Sequence, residues 1–228
     1  MKYLGGKARH GADIARVIRS KRRQGQIFWE PFCGACWVSQ YLYPGPLYCS
    51  DIHEPLIRLH QAIQQGTWEL PDFISEQEYN KLYLQWKDGE CSPWIGFAGF
   101  ACSWSGKWFA GYARGEGRNY CLEAKLSLLK KHKQLKEVTF THHNYRTVSP
   151  HNEVIYADPP YRGTTGYEGE IFDTVSFWKT MRYWSKDNTV IISEYEAPAD
   201  FKIIWQAEHF SIKGTDSKIT TEKLFQLE

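Results

Sequence analysis

Apolar residues along this chain come in short blocks divided by glycine, proline and polar turns, and the spacing inside each block predicts an element. Ile14, Val17 and Ile18 recur at i, i+3 and i+4. Arg16, Arg19, Lys21, Arg22 and Arg23 lie on and beyond the other face, which predicts an amphipathic helix ended by Gly25. Residues 26–29 and 47–50 read as strands, and residues 53–66 and 75–88 as helices interrupted by Pro71 and the Asp88-Gly89 turn. Leu122, Leu126 and Leu129 predict a further helix. Strands follow at 137–141, 154–157 and 189–193, with a helix at 174–187 before the last. The tail, 201–212 and 220–227, roughly alternates and predicts a hairpin whose polar link, 213–218, is expected to be disordered.

With 228 residues the chain fits one domain, or one domain with an inserted lobe, and 42% apolar residues can build a real core. No apolar run approaches membrane-spanning length and the first residues do not read as a signal peptide, so a cytoplasmic protein with no membrane partner is expected. The six cysteines are scattered and expected to be reduced. Cys33 and Cys36 form a C-x-x-C, but no second pair with ligand spacing accompanies them, so no metal is expected. Net charge is only +2 but uneven: Lys and Arg crowd residues 1–25 and 104–136, leaving the remainder acidic. A basic face for a polyanion fits this distribution, and so do solvated helix faces.

Three stretches and one single residue, Asp51, carry candidate chemistry. Residues 157–161 read Ala-Asp-Pro-Pro-Tyr after a strand. Asp158 then sits at a strand's carboxyl end, where open α/β sheets hold ligands. Two prolines stiffen the turn and remove two backbone donors, so its carbonyls stay available as acceptors. A carboxylate, carbonyls and the Tyr161 ring together suit an exocyclic amine and the base that bears it. Residues 30–36 read Glu-Pro-Phe-Cys-Gly-Ala-Cys after the first strand; glycine permits close backbone approach, and a helix is expected next with its amino end towards a ligand. Asp51 ends the second strand, where an acid can grip ribose hydroxyls or cap the following helix. In residues 103–119 glycines, aromatics and cations interleave, as suits an unstacked nucleic acid, or a hairpin that only packs.

Asp-Pro-Pro-Tyr after a strand resembles the catalytic motif of amino-group DNA methyltransferases, and Lys2-Tyr3-Leu4-Gly5-Gly6-Lys7 resembles the amino-terminal motif of the Dam-type, D12-class adenine-N6 enzymes. Glu30-Pro31-Phe32-Cys33-Gly34 resembles their S-adenosylmethionine loop, with Cys36 where the last glycine belongs and bulky Trp37 after it. Motif order is that of the α group. The resemblance implies an α/β, Rossmann-like sheet, mostly parallel with an antiparallel carboxyl-terminal hairpin. It implies a catalytic domain of residues 1–65 and 119–228 and a mainly helical target-recognition lobe at 66–118. It assigns S-adenosylmethionine to Tyr3, Lys7, Glu30, Pro31, Phe32, Gly34, Asp51, Ile52 and Asp158, and catalysis to Asp158, Pro159, Pro160 and Tyr161. Lys107, Trp108, Tyr112, Arg114, Arg118 and Asn119 are expected to contact double-stranded DNA, with Phe172 or Tyr167 closing over a flipped base. A prokaryotic or phage-encoded enzyme is expected. RNA as substrate, cytosine N4 as acceptor and a non-catalytic nucleic-acid-binding protein on a degenerate fold remain the alternatives.

Overall fold

The computed structural model describes residues 1–161, 172–213 and 216–228. In chain order these form α1 (Gly11–Lys21), β1 (Phe28–Glu30), β2 (Leu47–Asp51), α2 (Glu54–Gln65), α3 (Glu76–Lys87), α4 (Pro93–Ala101), α5 (Tyr120–His132), β3 (Val138–His142), β4 (Val154–Ala157), α6 (Thr174–Trp184), β5 (Thr189–Ser193), β6 (Phe201–Lys213) and β7 (Asp216–Leu227). Seven strands make one sheet in the order β3-β2-β1-β4-β5-β7-β6. β1 to β5 pair in parallel, and β7 runs antiparallel to both β5 and β6. The fold is the expected one: a Rossmann-like, mostly parallel sheet with an antiparallel hairpin at its end.

The central strands are buried on both faces, as parallel strands under helices must be, and so read as unbroken rather than alternating runs. Ile14, Ala15 and Ile18 of α1 pack with Phe28, Leu47, Val154 and Tyr156 on one side. Phe177 and Met181 of α6 pack with Ile155 and Ile192 on the other. Strand order reverses between β1 and β4, since β1 leads outward to β2 and β3 while β4 leads the other way. That is the position at which open α/β sheets form a ligand crevice beyond their carboxyl ends.

Several expectations change. α1 ends at Lys21, because Arg22 turns to extended backbone (φ −92°, ψ 126°) and its guanidinium donates to the Gln26 and Pro46 carbonyls at 2.8 and 3.0 Å. β1 begins at Phe28 and includes Glu30. No α-helix follows the Glu30–Cys36 loop; only a 3-10 turn, Ser39–Tyr41, stands there. Gly34 (φ +46°) and Cys36 (φ +53°) are both left-handed, which a right-handed helix cannot accommodate. α6 stops at Trp184, short of residue 187. β6 runs to Lys213 and β7 starts at Asp216, so the hairpin strands extend into the stretch expected as a polar link.

Residues 66–118 hold α3 and α4. α4 is buried along nearly its whole length and shares an apolar cluster with Leu56 and Leu59 of α2 and Leu128 of α5. Gly96 makes that approach possible: a Cβ there would lie 2.1 Å from the Pro55 carbonyl oxygen. No helix among the described residues is long and apolar enough to cross a membrane.

Candidate active site

The three motif segments leave the sheet from adjacent strands. Residues 31–34 follow β1, Asp51 ends β2, and Asp158 follows β4, with β2 and β4 on either side of β1 at one strand spacing, about 4.8 Å, each. The Asp51 carboxylate ties two of them together. Its Oδ2 accepts from the Gly34 amide at 3.0 Å and its Oδ1 from the His53 amide at 3.0 Å. Asp51 is therefore not the side-chain cap of α2, whose boundary residue is His53. Burial pushes its pKa up to about 6 against the pull of those two amides. Ile52 next to it is 56% exposed and offers an apolar face at the mouth of the crevice.

Gly34 has no room for a side chain. A Cβ there would sit 2.7 Å from the Tyr3 ring, and the left-handed backbone adds strain. Tyr3 in turn packs on Phe100, ring centroids 5.0 Å apart. Gly34→Ala should cost about 1–3 kcal/mol of stability, read by chemical denaturation, and should weaken S-adenosylmethionine binding in calorimetry. Glu30 is buried, bonded by the Ser39 hydroxyl, and held by burial well above the carboxylate range. It braces the loop from beneath. Pro31 is buried, and Phe32 packs against Tyr145, Phe172 and Phe177.

Support for this loop also comes from α5, which the sequence did not reveal. Lys131, counted among the basic-face residues, is 2% exposed; its ammonium donates to the Ala35 carbonyl and lies 3.6 Å from the Trp37 ring centre. Burial lowers its pKa to about 8. His60 reaches the Gly34 carbonyl at 2.9 Å through Nε2 and His132 at 3.0 Å through Nδ1. Cys36, in the position of the missing glycine, keeps a glycine-like backbone and turns its thiol inward, 3.8 Å from His60.

At the acidic turn, Lys7 bridges two carboxylates. Its Nζ lies 2.8 Å from Asp158 Oδ1 and 3.7 Å from Glu222 Oε1, and 4.5 Å from the centre of the Tyr161 ring. Burial opposes the Lys7 charge, but Asp158 and Glu222 outweigh it and hold its pKa above the ordinary value. Asp158 is raised to about 6, by burial and by Glu222, against the pull of Lys7. Pro159 is buried, Pro160 half-buried. The Tyr161 hydroxyl donates to Glu222 at 2.7 Å and lies 3.1 Å from the Ser193 hydroxyl, while its ring meets Tyr195 edge-on. Burial sets the Tyr161 pKa well above ordinary. Lys7, Asp158 and Glu222 together sum to one net negative charge when all are ionised.

The segment expected to meet nucleic acid is more structured than its composition suggests. Trp108 is 8% exposed, with ring partners His53, Phe100, Phe109 and Trp86, so neither face is open for a base. Gly99 lets this aromatic cluster close up against α4, which composition alone cannot signal. The Tyr112 hydroxyl donates to the Ile74 carbonyl at 2.7 Å. Asn119 caps α5, its Oδ1 accepting from the Leu122 amide at 3.0 Å. Arg114 pairs with Glu76 and Arg118 with Glu123 on the surface. Lys107 and Trp104 are exposed, and Trp104 is the open ring of this segment. Phe172, expected to close over a base, is packed with Phe32, Tyr145 and Phe177. Tyr167 lies outside the described residues.

The crevice fits S-adenosylmethionine on its own terms. A loop with no room for a side chain at Gly34, an acid at the end of β2, an exposed apolar neighbour and a net negative charge near Asp158 match the donor's amino acid, ribose, adenine and sulfonium. Among solved structures the chain is similar to a protein provisionally described as an RNA methyltransferase from Pyrococcus horikoshii (6% identity, 95% of this chain and 81% of that one, TM-score 0.46). It is also similar to the tRNA (m1A58) methyltransferase of Aquifex aeolicus (9%, 95% and 67%, 0.40). A third is the magnesium protoporphyrin IX methyltransferase of Synechocystis PCC 6803 with bound S-adenosylmethionine (10%, 96% and 80%, 0.41). No curated protein matches the chain. Residues 3–89, under half of the chain, match the family model of the D12 class N6 adenine-specific DNA methyltransferases.

Proposed function

We propose that the protein is a methyltransferase that moves the methyl group of S-adenosylmethionine to N6 of an adenine turned out of double-stranded DNA. The observation that supports this most is the placement of Asp158 on a two-proline turn, held by Lys7 beside the crevice that Gly34 and Asp51 line. The amine of adenine is a poor nucleophile because its lone pair is delocalised into the ring. Asp158 and the Pro159 carbonyl accept its two N–H bonds and favour a pyramidal nitrogen with its lone pair directed outward. These acceptors are fixed before reaction, so positive charge developing on nitrogen meets an environment already oriented for it. Tyr161 stacks on the extruded base, which inside a duplex cannot reach the turn. Tyr3, Lys7, Glu30, Pro31, Phe32 and Gly34 hold or brace the donor, and Asp51 with Ile52 takes its ribose and adenine. Bound S-adenosylmethionine supplies an electrophilic methyl on sulfur.

Residues 66–118 act in this reading as the target-recognition region, with Lys107, Arg114 and Arg118 at its surface. Its packing against α2 ties recognition to the catalytic sheet rather than to a separate lobe. Cys36 retains a glycine-like backbone and the acidic turn is complete, which favours an active enzyme over a degenerate fold.

Asp158 must be ionised to accept both hydrogens. With its pKa raised to about 6, kcat/KM is expected to fall as pH drops through that value and to level off above it. The direct test is incubation with labelled S-adenosylmethionine and either unmethylated duplex DNA or structured RNA. The reading expects label in DNA well above RNA; label in RNA alone would replace it.

A further inference from the structure

Glu222 belongs to the same site but comes from β7, on the far, antiparallel side of the sheet. It is 5% exposed. Its Oε1 accepts from the Tyr161 hydroxyl at 2.7 Å and from the Ser193 hydroxyl at 2.5 Å, and lies 3.7 Å from Lys7 Nζ. Lys7 itself reaches Asp158 Oδ1 at 2.8 Å. One oxygen atom thus anchors the phenol of the stacking tyrosine and shares the ammonium that holds the catalytic carboxylate. A charge-bearing acceptor buried this deeply is costly unless each of its contacts is made.

We propose that Glu222 is the positioning residue of the methyl-transfer centre, fixing the Tyr161 ring through its hydroxyl and setting how strongly Lys7 engages Asp158. The proposal rests on the reading of Asp158 and Tyr161 as the residues that receive the base. It touches neither base nor donor; it acts through Tyr161 and Lys7. Tyr161 cannot swing about its Cα–Cβ bond without carrying its hydroxyl away from Glu222, so the base meets a ring held in one place. Lys7, 2.8 Å from Asp158 and 3.7 Å from Glu222, shares its charge between the two carboxylates.

The groups facing Asp158 are Lys7 from the amino-terminal segment, Glu222 from β7, Tyr161 from its own turn, Tyr156 from β4, Glu30 from β1 and Tyr195 after β5. Removing the Glu222 charge takes away a repulsion and leaves Lys7 to Asp158 alone. Both changes favour the ionised Asp158, so the acid limb of the rate should move to lower pH. A residue with a merely structural role would not move it.

The experiment compares wild type, Glu222→Gln, Tyr161→Phe and the double variant, each with labelled S-adenosylmethionine and duplex DNA across pH. Glu222→Gln should lower kcat about tenfold, leave donor binding within a few-fold by calorimetry, and shift the acid limb down by about one pH unit. Tyr161→Phe keeps the Glu222 charge, so it should lower kcat without that shift. The double variant should be no slower than the slower single variant, as expected of residues acting as a unit. An unchanged kcat and acid limb in Glu222→Gln would overturn the proposal and leave the function standing. If that variant did not fold, wild-type kcat in Tyr161→Phe would overturn it instead. Absence of methyl transfer by the wild type would sink the underlying reading, and the proposal with it.

Discussion

Asp158→Ala is expected to abolish methyl transfer while S-adenosylmethionine binding stays measurable. The carboxylate is proposed as one of two acceptors for the amine hydrogens, and loss of one fixed partner at a reacting centre costs about 10²–10³ in kcat. Here the loss goes further, because Lys7 loses its 2.8 Å partner and is left to Glu222, 3.7 Å away. An ammonium without Asp158 beside the approaching base opposes the positive charge that develops on nitrogen. The fold should survive. The Asp158 pKa is raised to about 6, above the ordinary 3.8, so the folded state binds this proton more tightly than the unfolded one. Stability from this group therefore falls as pH rises from about 4 to 6, and its ionised form is a liability above that window. Against that gain stands the buried Lys7, which loses its 2.8 Å partner, so the variant's denaturation midpoint at pH 8 should lie at or below that of wild type. Donor binding is measured by calorimetry and turnover by label transfer; turnover above a tenth of wild type would remove Asp158 from the chemistry.

Trp108→Ala is expected to destabilise the protein by about 3–5 kcal/mol, the range for emptying a large aromatic site in a core. The ring meets His53 at 4.1 Å, Phe109 at 4.7 Å, Phe100 at 4.8 Å and Trp86 at 5.3 Å between centroids. Gly99 brings α4 so close that a Cβ there would lie 2.2 Å from the Trp108 ring. Such a surround cannot collapse to fill the hole. The consequence reaches the crevice, because His53 packs on this ring and its amide holds Asp51. Trp104→Ala gives the contrast. That ring is 62% exposed, so its loss should change stability by less than about 0.5 kcal/mol and instead weaken DNA binding in a salt titration. Urea denaturation of both variants decides between the rings; a wild-type midpoint for Trp108→Ala would mean that the ring does not hold this core.

The elements that position the site were legible because each depends on local pattern. Ile14, Val17 and Ile18 marked the buried face of α1. The run 154–157 ended where the two prolines forced it to, which put Asp158 at a strand end. The parts that escaped depend on partners distant in sequence. Cys36 is not a residue whose identity announces a left-handed backbone, so the helix expected after β1 was read where none forms. α4 did not stand out as an element of its own, because Gly96 and Gly99 serve close packing against Pro55 and Trp108, partners that local pattern does not reveal. Trp104 and Trp108 are four residues apart in one composition, and only the tertiary fold separates the exposed ring from the buried one. Lys131 read as surface charge because burial of a lysine shows only once Trp37 and Ala35 are placed over it. Glu222 was one acid in an alternating strand; its meeting with Tyr161, 61 positions away, exists only in the folded sheet.

The atom that receives the methyl group is the decisive observable. Duplex DNA incubated with the wild-type protein and S-adenosylmethionine, digested to nucleosides and weighed by mass spectrometry, should yield N6-methyldeoxyadenosine, and DNA treated with Asp158→Ala should yield none. A methyl found on cytosine, or equal yields from the two proteins, would contradict the proposed mechanism.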